Sequence, residues 1–589
     1  MRFPEAYFVT GFVEIFFPSL AVLAAQNFDV PWSSKRYGPD GPWQAVMITL
    51  GGVNSTETIQ AQNHSDIDVY PGGYWQIYSL VSAACEPFPS SICGSGGFWE
   101  PDTDDLSQLY SIAEPFVVDD PAYGLNINKS TRTYMATTIG GKIVYNSSQA
   151  FVESASMRYP SGRIGGVTLG ALALGADSPN QFFSLDDHIQ GNGINTSTFS
   201  GGLYLKGDIP SYSFGLHIGS AAFNYPGSLV FGGYNKGRVI DPVTSFQDVN
   251  TVDLLDIGIG VEDGKSPFSF ANKSNLFLDN TGQSQRRNVT IEPLNPYLAL
   301  PKKTCDGLAD ILPVTFDKSL DYYTWNLKDP NYEKIVTSAA YLSFTFLPPP
   351  GSSDNVIIKV PFALLNLTLS QPITDTPTQY FPCVPFDSTT KAPVLGRAFL
   401  QAAFFGRNWN TGYSWLAQAP GPGAGVSAHG LGDARTDIAN DATIIEGYQN
   451  KDGSNLFNQS WAGHWSVASV PTVSNIPTVS PSVVPPPHRL STGAKAGIGV
   501  GAAIAAIAIL AAAFMLWRRR NKTGIRSSPK AEPLQSVKMP QRGYEGHAGD
   551  LPEVVGPKYA NVGHASAIFE ADNHHSPTEI ADTNDPRMR

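Results

Sequence analysis

The stretch Ser211-Tyr212-Ser213-Phe214-Gly215-Leu216-His217-Ile218-Gly219, followed by Gly227-Ser228-Leu229-Val230-Phe231-Gly232-Gly233-Tyr234, sets the texture of this chain. Within it, Ser228–Phe231 is a short apolar run with glycine on both sides, the mark of a strand between turns. Similar runs recur at Trp43–Leu50, Lys142–Tyr145, Val356–Val360 and Tyr413–Ala417, separated by Gly, Pro, Asn and Asp. Helical periodicity is scarce. The best short candidate is Thr304–Ile311, with Lys303 before it and Pro313 after it. The expected fold class is therefore all-β, a large globule with few helices.

At 589 residues the chain has room for two or three domains. Hydrophobic residues make up 42%, ample for a sizeable core. Charged residues make up only 15%, below the roughly 25% of ordinary soluble domains. A net charge of −12 argues against a nucleic-acid partner, which needs a basic face.

Residues 1–25 read as a signal peptide: Arg2 opens it, an apolar stretch runs from Tyr7 to Ala25, and Val22–Ala25 offers small-residue cleavage choices. A second apolar segment, Ala496 to Trp517, carries no charge and exceeds the about 20 residues a bilayer requires. Arg518, Arg519, Arg520, Lys522, Arg526 and Lys530 follow it, while only Arg489 and Lys495 precede it closely. That asymmetry places the C-terminus in the cytoplasm and gives a type I topology at the plasma membrane or a secretory-pathway membrane. Sequons at Asn54, Asn63, Asn128, Asn146, Asn195, Asn272, Asn288, Asn366 and Asn458 all precede the span, as expected of a glycoprotein. Cys85, Cys93, Cys305 and Cys383 also lie there. An even count in an oxidising compartment suggests two disulfides, with three connectivities open. No Cys/His cluster has metal-ligand spacing, and no metal or cofactor is expected.

After Pro420 the texture changes. Gly421–Gly425 and a polar stretch lead to Pro471–Pro487, rich in Ser, Thr, Val and Pro, so residues 421–495 read as a low-complexity stalk. Residues 518–589 read as a disordered cytoplasmic tail. It holds Ser528-Pro529 and Ser576-Pro577, and no partner for it can be named.

Six segments, in order, resemble the pepsin-like aspartic protease family, especially its fungal membrane-anchored members. Trp43–Gly52 looks like the opening strand pair, and Val167–Gly175 like the strand that crosses behind the first catalytic loop. Ser211–Gly219 with Gly227–Tyr234 resembles the hairpin that leads to the lobe junction. Pro296–Pro301 resembles the segment after the second catalytic loop, Val394–Leu400 the matching strand of the second lobe, and Trp415–Ala419 the closing strand. The resemblance implies two β-rich lobes, at 26–240 and 241–420, with a cleft between them. The pairing Cys85–Cys93 and Cys305–Cys383 keeps each bridge within one such lobe.

The family's chemistry needs two facing carboxylates that share a proton, each followed by Thr or Ser and then Gly. Here Asp68-Val69-Tyr70-Pro71-Gly72-Gly73-Tyr74-Trp75 stands where the first motif belongs, with Tyr70 at the Asp position. A phenol with a pKa of about 10 is no base at acid pH. Glu292-Pro293-Leu294 stands at the second motif. Its extra methylene moves the carboxyl by about an ångström, an error that costs on the order of a hundredfold in rate. A rescue is conceivable in which Asp68, on the same strand face as Tyr70, joins Glu292. Otherwise Asp66 and Asp68 read as an exposed strand end. No G-x-S-x-G, H-E-x-x-H or Walker pattern offers another active site.

The sequence thus favours a membrane-anchored, catalytically inactive pepsin-like ectodomain. Its cleft, floored by Tyr70, Tyr74, Trp75 and Glu292, would bind a peptide or cell-wall ligand. One alternative is an atypical aspartic endopeptidase at the cell surface. Another is a structural or sensory cell-wall protein that signals through its tail.

Overall fold

The computed structural model describes residues 25–51, 64–73, 75–89, 92–100, 116–117, 124–184, 193–349, 351–387, 391–425, 434–449 and 453–466. Asn54, Asn63, Tyr74, the signal-peptide stretch up to residue 24, the Pro-rich part of the stalk, the Ala496–Trp517 segment and the tail lie outside them. Among the described residues no helix is long and apolar enough to cross a membrane.

Strand is the prevailing regular structure among the described residues, in keeping with the all-β expectation. Alternation does the work. In the strand Ala340–Phe346, Ala340, Leu342, Phe344 and Phe346 are buried and the intervening residues are not. In Val46–Gly51, Val46, Ile48 and Leu50 face the core while Met47 is exposed. Each such side chain removed from water contributes roughly 1.5–3 kcal/mol. The helix expected at Thr304–Ile311 is present as Lys302–Ala309, shifted toward its N-terminus and started by Pro301. Both disulfides join the expected partners, Cys85 to Cys93 and Cys305 to Cys383.

Three sheets position the site. A ten-stranded sheet is built from strands between residues 46 and 197, and an eight-stranded sheet from strands between residues 251 and 395. A six-stranded antiparallel sheet draws on both halves of the chain. Its order is Phe28–Asp29, Ser228–Phe231, Ser213–His217, Ala403–Asn408, Tyr413–Gln418 and Ile240–Phe246. The pairing of Ser213–His217 with Ala403–Asn408 fastens the two halves, with Gly215 opposite Gly406.

In each of the two larger sheets, the strand that leads to a candidate loop has a parallel neighbour beside it. His64–Pro71 lies beside Gly170–Leu172, with Tyr70 opposite Ala171. Arg287–Ile291 lies beside Val394–Leu395, with Ile291 opposite Leu395. Both first-named strands end at a loop that carries an expected site residue.

The globule does not stop at Pro420. Arg435–Asp437 pairs with Gly233–Asn235, and Ile438 is buried with Tyr234, Phe404 and Trp415. Trp415 Nε1 donates to the Thr443 carbonyl at 3.0 Å. The helix Leu456–Trp461 buries Phe457 and Trp461, and Trp461 stacks on Trp465 at 5.5 Å. Residues 434–449 and 453–466, expected as stalk, are therefore part of the folded unit. Polar composition misled because a few spaced apolar residues carry the docking.

His217 sits in the shared sheet, fully buried. Its Nε2 lies 3.0 Å from the Gln401 carbonyl and its Nδ1 3.4 Å from Arg238 Nη1. Burial, with Arg238 adding to it, pushes its pKa down to about 3. An unfolded histidine titrates at about 6.5, so the unfolded state takes up a proton first as pH falls. Stability from this group is intact above about pH 6.5 and is lost between there and about pH 3, at up to about 1.4 kcal/mol per pH unit. In His217→Gln that loss is absent. Chemical denaturation of residues 26–466 across this window should show a flatter slope in the variant, and identical slopes would contradict the assignment.

Candidate functional site

The first loop follows from its strand. Val69 and Tyr70 are buried between Val46–Gly51 on one side and Gly170–Leu172 on the other. Past Pro71 the chain turns at Gly72 and Gly73, where the Gly72 amide donates to the Leu172 carbonyl at 3.0 Å. Gly72 has φ +153, and a Cβ there would lie 2.9 Å from Leu294 Cγ. Glycine is what lets the two loops touch.

The second loop begins where Ile291 leaves its strand. The Glu292 amide donates to the Leu395 carbonyl at 3.2 Å. Its carboxylate Oε1 accepts the Leu294 amide of its own loop at 3.0 Å. Pro293 supplies no N–H, and the Leu294 side chain lies against Gly72 and Gly73. The ends of the two loops thus meet through an aliphatic side chain.

Tyr70 is 4% exposed, and its ring carries a cation. The guanidinium carbon of Arg397 stands 4.0 Å from the Tyr70 centroid and 5.1 Å from that of Trp43. Arg397 follows Gly396 at the end of the strand beside the second loop. Its amide donates to the Asn295 carbonyl at 2.6 Å. A residue anchored by the second loop therefore covers the first.

Trp43 links this cation to a buried carboxylate. Its Nε1 donates to Asp40 Oδ1 at 2.7 Å. Tyr297 donates to Asp40 Oδ2 at 2.8 Å, and Tyr380 to the Asp40 carbonyl at 2.7 Å. The Tyr297 and Tyr322 hydroxyls are 2.7 Å apart, so Tyr322 donates to Tyr297 while Tyr297 donates to Asp40. Burial first, then the Asp40 charge, holds all three phenols well above the usual tyrosine range, which keeps them donors. Gly38, at φ +93, leaves space at the centre. A Cβ there would lie 3.1 Å from Asp40 Oδ1 and 3.2 Å from the Tyr70 hydroxyl. Gly38, Asp40, Tyr70, Tyr159, Tyr297 and Arg397 are among the residues lining a cavity of about 30 Å³.

Other expected residues fall elsewhere. Asp68 is not an exposed strand end: it is 6% exposed and accepts from Ser33 Oγ at 2.7 Å and from the Tyr37 hydroxyl. Both bonds go to one oxygen and hold the carboxylate against the 33–37 segment. Asp66 is exposed, as expected, and accepts from Thr49 at 2.6 Å. Trp75 is 49% exposed, with φ +76. No group of His, Cys, Asp and Glu among the described residues is arranged to hold a metal ion.

Asp40 and Arg397 were missed in the sequence. Asp40, between Pro39 and Gly41, reads as a turn residue. The signal at Arg397 was a charge inside the apolar run Val394–Leu400. No family model matches this chain, and no curated protein matches it.

Tyr297→Phe deprives Asp40 of a donor and leaves a buried carboxylate oxygen under-satisfied, at a cost of about 1–3 kcal/mol. Denaturant midpoints of the variant and the parent should differ accordingly. Equal midpoints would mean that Asp40 is not held by this hydroxyl.

Proposed function

We propose that the chain is a type I membrane glycoprotein whose pepsin-like, two-lobed ectodomain has lost aspartic peptidase activity and binds a peptide or cell-surface ligand in its cleft. One observation carries the reading. At the position the resemblance gives to the first catalytic carboxylate stands the phenol Tyr70, with the Arg397 guanidinium 4.0 Å over its ring. A dyad works because two carboxylates crowd one another and one holds its proton. A fixed cation acts in the opposite sense, favouring full ionisation of any carboxylate beside it. At the second position Glu292 spends one oxygen on the Leu294 amide, and Leu294 fills the contact between the loops.

The pepsin-like frame is supported by the repeated parallel pairing behind each loop and by the six-stranded sheet drawn from both halves. Passage through the secretory pathway is supported by two disulfides and by the surface placement of sequons. Asn128, Asn146, Asn195, Asn272 and Asn288 are exposed, while Asn366 and Asn458 are half-buried. On this reading the apolar segment Ala496–Trp517 anchors the ectodomain outside the plasma membrane or a secretory-pathway membrane. A Pro-rich stalk precedes it, and a cytoplasmic tail follows.

The test is peptide cleavage by the glycosylated ectodomain, residues 26–466, with a diverse peptide library from about pH 2 to 7, which takes in the acid range where one carboxylate of such a dyad holds its proton. The expected result is no cleavage above that of a Glu292→Gln control. Cleavage that disappears in the control would refute the reading and make the protein an atypical endopeptidase.

A further inference from the structure

The environment of Arg397 leaves a charge unanswered. The residue is 5% exposed, yet its Nε and Nη1 have no hydrogen-bond partner among the described residues. Stranding a cation away from water costs several kcal/mol. Contacts with the faces of Tyr70 and Trp43 return about 1–2 kcal/mol each. These contacts supply no hydrogen-bond acceptor, so Nε and Nη1 stay without one among the described residues.

Asp40 does not supply the missing partner. No described acidic group forms an ion pair with Arg397 within 4.0 Å. The Asp40 oxygens are taken by Trp43 and Tyr297. Trp43 stands between the two charges, giving its N–H to the carboxylate and its ring to the guanidinium. Asp40 is thereby solvated by fixed donors, while Arg397 borders the 30 Å³ cavity. A space of that size holds about two waters or one small planar group.

We propose that this cavity is a binding site for a single carboxylate group, held by Arg397 beside Tyr70. A planar carboxylate matches the in-plane donors of a guanidinium, and its charge answers the one the fold leaves buried. The inference rests on the reading that this cleft binds rather than cuts, and it names the chemistry of what is bound. In a peptide-binding cleft the group is a C-terminus or an acidic side chain; its other source is a free small acid.

The experiment titrates residues 26–466 with acetate, chloride and phosphate by calorimetry, in parent, Arg397→Met and Arg397→Lys forms. It then compares one peptide as its C-terminal acid and as its amide. Acetate should bind the parent in preference to chloride and phosphate. Its affinity should fall about tenfold or more in Arg397→Met and severalfold in Arg397→Lys, which keeps the charge but loses the planar donors. The acid peptide should bind about tenfold tighter than the amide. Equal binding of both peptides with acetate retained upholds the site and assigns it to a free acid. No acetate binding by the parent, equal affinity in Arg397→Lys, or preference for chloride or phosphate would overturn the proposal. If Arg397→Met does not fold, the lysine variant and the peptide pair decide. Cleavage by the same preparation would refute the functional reading and leave acetate binding as a separate result.

Discussion

A guanidinium lying over the Tyr70 ring governs everything around the two loops. Arg397 enters from the second half of the chain, covers a residue of the first half, and touches Trp43 on the way. Trp43 must then present its face to the cation and its N–H to Asp40. Asp40 in turn recruits Tyr297, and Tyr297 recruits Tyr322. Each step satisfies a buried polar group that the previous one created. The chain of partners closes at Asp40 and stays open at Arg397. The region is therefore polar and ordered, built on one guanidinium and one carboxylate that Trp43 holds apart.

The scaffold makes this arrangement rigid. Tyr70 lies at the end of one strand and Glu292 just past the end of another, and each of these strands has a parallel neighbour beside it in its sheet. The six-stranded sheet fixes the two halves to one another, and buried His217 bridges toward Gln401 across it. Residues 434–449 seal the outside of that sheet through Ile438 and Thr443, and residues 453–466 dock separately through Phe457, Trp461 and Trp465. Small errors in loop position are costly to a dyad but matter less to a site that recognises charge and shape.

Much of the strand content was legible, because alternation in Val356–Val360 and the short apolar run in Tyr413–Ala417 are local properties. The residues Tyr70 and Glu292 were legible too, since they are single-residue facts. The groups gathered around them were not. Arg397, Trp43 and Asp40 meet only after the whole chain has folded, and no local pattern marks a cation over a ring. Asp68 looked like a solvated strand end because its partners, Ser33 and Tyr37, come from a loop with no periodicity of its own. The segment after Pro420 looked like stalk because its polar residues outnumber the few aromatics that anchor it.

The central claim is that Tyr70 and Arg397 are an energetically coupled pair beside the two loops. A double-mutant cycle measures it directly, with the stabilities of parent, Tyr70→Leu, Arg397→Met and the double variant compared by denaturant unfolding. The account predicts a favourable coupling of about 1–2 kcal/mol, the worth of a desolvated cation over an aromatic face. Additive effects, with no coupling between the two positions, would contradict it.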